Sequence, residues 1–305
     1  MENNIEISIV ILSKNAAENI HETLSMLFKQ SLAEKIEVIV IDSGSQDDTV
    51  DIIKSFSKVR LIQNPPENFH HGKTRNMGGK LAQGKYIVFL NGDAVPKNKK
   101  WLEKLVSNFQ TDDNVVATYS RHLPKEDCNL YMRIVLLTEF GPVKEIINIQ
   151  HLIEEDKRIH FNRFIRFSTV SCAVRKDAWV EMPFNESISI GEDQDWSKRM
   201  LELGRSIVYE PSSVIIHSHN YSFNELYNRN KEGSKAFNKI FNHKKSMIFC
   251  IWRLLLFPFH SLKESLVILN YAAKKKYGWF LVVKEIVIAL NLRFAALLGL
   301  IIGNK

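Results

Sequence analysis

Cysteine is scarce in this chain: Cys128, Cys172 and Cys250 are the only three among 305 residues. They are scattered, odd in number and without a CxxC pair, which excludes a disulfide framework or a CxxC zinc module and points to a reducing compartment. Glycine-rich phosphate loops are missing too. No GxGxxG follows an apolar run, so dinucleotide-dependent redox chemistry has no support. Gly72-Lys73-Thr74 lacks the glycine that a P-loop requires five residues earlier, where Glu67 stands. The segment Met1 to Glu6 has neither a basic nor an apolar signal region, so the expected location is the cytoplasm. Internal repeats and low-complexity tracts are absent. A large excess of one charge is also lacking. The formal +7 does not call for a nucleic-acid partner, and none is expected; it suits phosphate-bearing substrates or an anionic membrane surface.

What is present is enough apolar material for a sizeable core: 45% of residues are hydrophobic and 25% charged, in a length that fits one large α/β domain plus an appendage. The run from Ile5 to Leu12, interrupted only by Glu6 and Ser8, reads as a strand buried on both faces of a parallel sheet. A helix over 16–28 follows, with Ile20, Leu24, Leu27 and Phe28 on one face. Strands are then predicted over 36–41, 59–62, 86–90 and 115–119. Helices are predicted over 48–56, 72–81 and 101–109. This alternation predicts a doubly wound, mostly parallel α/β sheet flanked by helices. From Pro124 to about Arg163 no period holds, and an acceptor-side loop or short helices are expected. A strand over 168–174 and a helix over 194–203 restore the pattern. The expected domains are 1–221 for the sheet and 222–305 for a C-terminal helical region. Within the latter, 280–302 has the length of a membrane span, but Lys284, Glu285, Asn291 and Arg293 interrupt it. Central charges cost about 2.5–3.5 kcal/mol each on insertion scales, which favours an interfacial or dimer-forming helix.

In such a sheet ligands sit beyond the carboxyl ends of the strands. The polar residues at those ends are therefore the candidates for contacting a nucleotide-bearing substrate: Ser13, Asn15, Asp42, Arg75, Asn91 and Asp93. Asp42 can accept hydrogen bonds from a base or a ribose, while Ser45 and Asp47 are placed to cap the next helix. Arg75 can face the pocket, pair with one of its carboxylates, or be a solvated helix charge. Asp93, directly after an apolar strand and a glycine, is placed to hold Mg²⁺ or Mn²⁺, although Asn-Gly-Asp is also turn chemistry. The run Gly191-Glu192-Asp193-Gln194-Asp195 puts three acids at a helix start, where they either complement the helix dipole or supply a general base. His217 and His219 fall on one side of an extended chain, and one of them can complete a metal shell with Asp93; a plain surface or core role is the alternative. The pair His70-His71 reads as substrate-facing.

In order and spacing, IVILSKNAAENI, IDSGSQDDTVDI, GKTRNMGGKLAQGKYIVFLNGDAVP and GEDQDWSKRML resemble glycosyltransferase family 2, with its GT-A fold, from about Ile7 to Tyr221. The HGKTRN…GKYIVFL…DAVP run and HSHNYS are most similar to bacterial rhamnosyltransferases of O-antigen or capsule synthesis. The resemblance implies that Asp42 contacts the nucleobase, that Asp93 holds the divalent cation, and that Asp193 is the catalytic base. Glu192 then contacts the acceptor or supports Asp193. It further implies an inverting transfer from dTDP-β-L-rhamnose onto a saccharide acceptor. One departure stands out: the family's DxD signature reads Asn91-Gly92-Asp93 here. His217 or His219 can compensate for the missing acid.

Three rivals share these residues: the same fold with a UDP-hexose or aminosugar donor, a non-catalytic sugar-nucleotide binding protein, and a nucleotidyltransferase. The tail mixes Trp252, Phe257 and Phe259 with Arg253, His260, Lys263 and Lys274-Lys275-Lys276. That mixture suits peripheral attachment to the inner membrane face and a lipid-linked oligosaccharide acceptor, or equally a homo-oligomer surface.

Overall fold

The computed structural model describes residues 5–150, 166–241 and 247–304. The end of the irregular stretch expected up to Arg163 lies outside the described residues. The chain divides into two compact units, Met1–Leu123 with Phe140–His217, and Pro124–Glu139 with Ser218–Lys305.

The first unit is built on one sheet. Its strands are β1 (Ile7–Ser13), β2 (Ile36–Asp42), β3 (Val59–Gln63), β4 (Tyr86–Asn91), β5 (Val95–Pro96), β6 (Val115–Leu123), β7 (Glu145–Ile147), β8 (Ser171–Arg175) and β9 (Ser206–Ile216). They lie in the order β3-β2-β1-β4-β8-β6-β9-β5, with β7 also paired to β9. Strands β1, β2, β3, β4, β6 and β9 point one way, whereas β5, β7 and β8 oppose them. The mixed sheet is flanked by α1 (Ala17–Leu27), α2 (Thr49–Lys54), α3 (His71–Leu81) and α4 (Trp101–Val106). Every residue of β1 is buried, as a strand covered on both faces requires. Ser8, the polar interruption in that run, donates to Glu37 and accepts the amides of Gln83 and Gly84, so it pins the turn before β4.

Register carries the functional consequence. Ser13 pairs with Asp42 across β1 and β2, and Leu12 with Asn91 across β1 and β4. The carboxyl ends of these strands are therefore level, and β6 and β9 end at the same edge with Leu123 opposite Ile216. Strand β8 runs the other way and so begins at this edge; the Asn91 N–H donates to the Val170 carbonyl at 3.0 Å. Helix α3 lies hard against β1 because position 78 is glycine: a Cβ there would sit 2.2 Å from Val10 Cγ1.

Two strands reach further than the apolar pattern indicates. The alternating Ser120–Leu123 end of β6 is hidden by Arg121 and His122, and β9 passes through the polar Glu210–Ser213 with a register shift between Ser120 and Arg121.

The second unit is helical. It holds α5 (Leu130–Glu139), inside the stretch read as loop or short helices. After α6 (Lys176–Glu181) and α7 (Glu192–Glu202) of the first unit, it continues with α8 (Phe223–Phe241), α9 (Met247–Leu255), α10 (Phe257–Lys274) and α11 (Trp279–Gly303). Helix α5 joins this unit because Leu130 packs with Ile268, Ala272, Val282 and Ala289. Glu285 accepts the Leu130 N–H at 2.7 Å, so one interrupting charge of the apolar tail caps a neighbouring helix. Helix α11 has a mean hydropathy of 2.3 over 18 residues and by length and composition can cross a membrane. Its Leu292 and Ala295 are buried against Leu226 of α8.

Candidate active site

The strand-end residues of the first unit gather at one sheet edge. Asp42 closes β2 and is fully buried. Its Oδ2 accepts the backbone N–H groups of Gly44 and Ser45 at 3.1 and 3.0 Å, and its Oδ1 accepts the Ser45 hydroxyl. The carboxylate thus shapes its own loop. Asn15, whose φ is 48°, accepts the Gln46 N–H at 2.9 Å and donates its backbone N–H to Ser45 Oγ at 2.8 Å, tying the loops after β1 and β2 together. Asp47, not Asp48, receives the Thr49 N–H at the start of α2, and its other oxygen accepts from Ala17. The hydrogen bond from the Thr49 hydroxyl holds the Asp47 carboxyl below its usual pKa. Beside this scaffold the hydroxyls of Ser13 and Ser43 are buried and have no hydrogen-bond partner among the described residues.

Arg75, on the second turn of α3, is 3% exposed. Its Nη1 donates to Glu192 Oε1 at 2.7 Å and its Nη2 to Asn91 Oδ1 at 3.3 Å. A solvated helix charge is therefore the wrong description. The three acids of the Glu192–Asp195 run separate into three roles. Glu192 pairs with Arg75, Asp195 pairs with Arg199 one turn on at 2.8 Å, and Asp193 faces the sheet edge. There the Thr169 N–H and hydroxyl donate to Asp193 Oδ2 at 3.3 and 3.4 Å. Helix α7 is held in place by Trp196, fully buried, whose indole N–H donates to the Met182 carbonyl. Gly191 enters it at φ 84°, a conformation that side chains with a Cβ adopt only at a cost. Burial pushes the Asp193 pKa up to about 6; repulsion from Glu192 adds to this and Arg75 opposes it. A carboxyl poised there can accept a proton near neutral pH.

Asp93 and His217 approach on the other flank, Asp93 Oδ2 lying 3.5 Å from His217 Nε2. The His217 backbone N–H bonds to Leu123, the last residue of β6. With His219, one residue further along the chain than Ser218, each residue offers a ligand atom within 4.8 Å of the other two. One carboxylate and two imidazoles fit Mn²⁺ better than Mg²⁺, which takes oxygen ligands almost exclusively. His70 and His71 stay out of this cluster: His70 Nδ1 accepts the Lys73 N–H at the start of α3 and His71 lies against Arg75.

Two residues of the edge carry no obvious sequence signal. Thr169 is an ordinary residue before a strand, and only the fold sets it against Asp193. His122 is stacked on Phe140 with ring centroids 3.9 Å apart and stands edge-on to His217 at 5.7 Å. Burial, then the neighbouring His217, holds its pKa well below the usual value. Following the strand-end rule two residues beyond Ser120 would have found it.

Comparison with known proteins bears on this geometry. Residues 8–174 match the family model described as glycosyl transferase family 2. The O-antigen chain rhamnosyltransferase RfbN of Salmonella typhimurium is 27% identical over 230 residues, which are 74% of this chain and 70% of that protein. The O-antigen chain rhamnosyltransferase WbaN of Salmonella anatum is 29% identical over 204 residues, 66% of this chain and 62% of that protein. The mannosyltransferase PcManGT from Pyrobaculum calidifontis, solved in complex with GDP-Man and Mn²⁺, superposes with a TM-score of 0.62 at 14% identity, covering 95% of this chain and 85% of that one. That likeness is one of fold, and the fold is GT-A. The family model spans more than half of the sequence, and its match includes β2 to β4 and β6 and nearly all of β1: this chain belongs to glycosyltransferase family 2.

Proposed function

We propose that this chain transfers L-rhamnose from dTDP-β-L-rhamnose onto a saccharide acceptor, with inversion at C1. The carrying observation is Asp193, a carboxyl raised to about 6 at the same sheet edge as Asp93. Inversion calls for a base on the face opposite the leaving group. Asp193 Oδ2 takes the proton of the acceptor hydroxyl as that oxygen bonds to C1. The C1–O bond to the diphosphate breaks, and the nucleoside diphosphate leaves with the electron pair. Glu192, paired with Arg75, adds a repulsion that helps to raise the Asp193 pKa. Asp42, Ser13, Asn15 and Ser43 line the nucleotide end, and Arg75 with Asn91 borders the diphosphate. Asp93, His217 and His219 are the residues that would hold a divalent cation, whose charge would neutralise the departing diphosphate. The rhamnosyl donor is favoured by the names of the two Salmonella relatives. A lipid-linked oligosaccharide in cell-surface polysaccharide synthesis fits as acceptor.

The test is a donor panel with the purified chain and Mn²⁺. Release of dTDP from dTDP-β-L-rhamnose, with α-linked product, supports the reading; turnover of UDP-glucose in its place overturns the donor. Asp193→Asn should abolish turnover while donor affinity stays within about threefold, because a base contributes to the transition state and not to ground-state binding.

A further inference from the structure

The helical unit contains a cavity that none of the candidate transfer residues lines. It has a volume of about 170 Å³ and is lined by Tyr131, Asn230, Arg253, Phe257, His260 and Arg293, with alanine and leucine of α11 closing it. Its charge is unbalanced. Arg293 pairs with Glu264, while Arg253 brings a second guanidinium to the same cavity. Arg253 makes a cation–π contact with Phe249 at 5.8 Å, and its guanidinium carries five N–H donors. His260 adds a third nitrogen cluster, its Nδ1 bonded to the Leu256 carbonyl at 2.8 Å, so that Nε2 is the nitrogen left to the cavity side. Burial pulls the Arg293 pKa down and the charge of Arg253 adds to this, while Tyr131 opposes it.

The surroundings name the ligand's other half. The helices that supply Arg253 and His260 expose Trp252 (58%), Leu255 (62%), Phe259 (70%) and Leu262 (61%). A soluble anion would have no use for that apolar face. Lys263 lies on α10, and Lys274, Lys275 and Lys276 follow at the C-terminal end of that helix. Guanidiniums match phosphate in bidentate geometry, and basic pockets between apolar helices are headgroup sites. The volume, several times the roughly 30 Å³ that a water molecule occupies, admits a phosphate group but not an oligosaccharide. We infer that Arg253, Arg293 and His260 form a clamp for the phosphate of a membrane lipid, whose chains lie along the exposed face of α9 and α10. This assignment stands on the helical unit alone and is independent of the donor and of the transfer chemistry.

The experiment is flotation of the full chain with phosphatidylcholine vesicles carrying either phosphatidic acid or phosphatidylserine at matched surface charge. Phosphatidic acid presents an open phosphate monoester; phosphatidylserine buries its phosphate in a diester. The chain should prefer phosphatidic acid by about tenfold. Arg253→Gln, on an exposed side chain, and the charge-balanced pair Arg293→Gln with Glu264→Gln should each lower that binding to the phosphatidylserine level. Lys274→Gln with Lys275→Gln should weaken both lipids alike. Equal binding of the two lipids, or equal losses in the clamp and lysine variants, would mean surface electrostatics without a site and overturns the inference. Stabilisation by inorganic phosphate without vesicle binding would make it a free-phosphate site, which also overturns it. So would a dimer in sedimentation that excludes vesicles.

Discussion

Arg75 on α3 and Glu192 on α7, 117 residues apart, meet in a buried ion pair at 2.7 Å. The pair fixes the start of α7 to the sheet edge, and the second Nη2 bond of Arg75 reaches Asn91 on the strand that leads to Asp93. A buried pair is worth little more than well-packed apolar residues, but breaking it strands a charge, at about 3–5 kcal/mol. Arg75→Met should therefore lower unfolding free energy in urea by about 3 kcal/mol, whereas Arg75→Met with Glu192→Leu should recover most of that loss. If the single and double variants are equally unstable, the pair is not the joint described here.

Asp193 gives a pH prediction with two readouts. Its folded pKa of about 6 lies above the ordinary 3.8, so its ionisation costs the folded state. That cost is absent below pH 4, grows as pH rises through 6 and is constant above. Asp193→Asn should accordingly be more stable than the parent at pH 8, by on the order of 2 kcal/mol, and no more stable at pH 4. In the parent, turnover should rise through an apparent pKa near 6 as the base deprotonates. A pH-independent stability gap would remove Asp193 from the buried position assigned to it.

Strands β1 to β4, the helices between them and the edge they point to were legible because buried parallel strands are nearly continuous apolar runs, whereas β5, β7 and α6 carry no such run and were missed. The eight-residue run before Lys14 and the one before Asn91 needed no partner to be recognised. The pairing of Arg75 with Glu192 was not legible, since nothing local distinguishes a buried arginine from a solvated one. Nor was α5: no period marks its stretch, and only contact of Leu130 with Ile268 and Ala289 shows which core it joins. Asp42 accepts two amides of its own loop, a role that local sequence permits but does not demand.

Asp93, His217 and His219 predict a metal dependence. Isothermal titration of the parent with Mn²⁺ should show binding that Asp93→Ala abolishes, the carboxylate being the one charged ligand of the three. His217→Ala with His219→Ala should weaken Mn²⁺ at least about tenfold and Mg²⁺ less, because imidazole contributes more to the softer ion. Unchanged Mn²⁺ affinity and activity in the double variant would show that Asn91-Gly92-Asp93 suffices without them.

Gly78 links the core to the site. A Cβ at this position would fall 2.2 Å from Val10 Cγ1 and 3.2 Å from Ile41 Cδ1, both on strands that do not yield. Gly78→Ala must lift α3 from β1, and overpacking of this kind costs about 1–3 kcal/mol. The same helix carries Arg75 one turn earlier, so the displacement should also loosen its bonds to Glu192 and Asn91 and lower kcat several-fold. Val10→Ala removes the clashing methyl. Alone it is destabilising, because it opens a cavity under a buried strand. Combined with Gly78→Ala it should restore both melting temperature and kcat toward the parent, a favourable coupling of about 1 kcal/mol or more in a double-mutant cycle. Additive losses would mean that α3 does not rest on Val10, and that Arg75 is positioned from the α7 side alone.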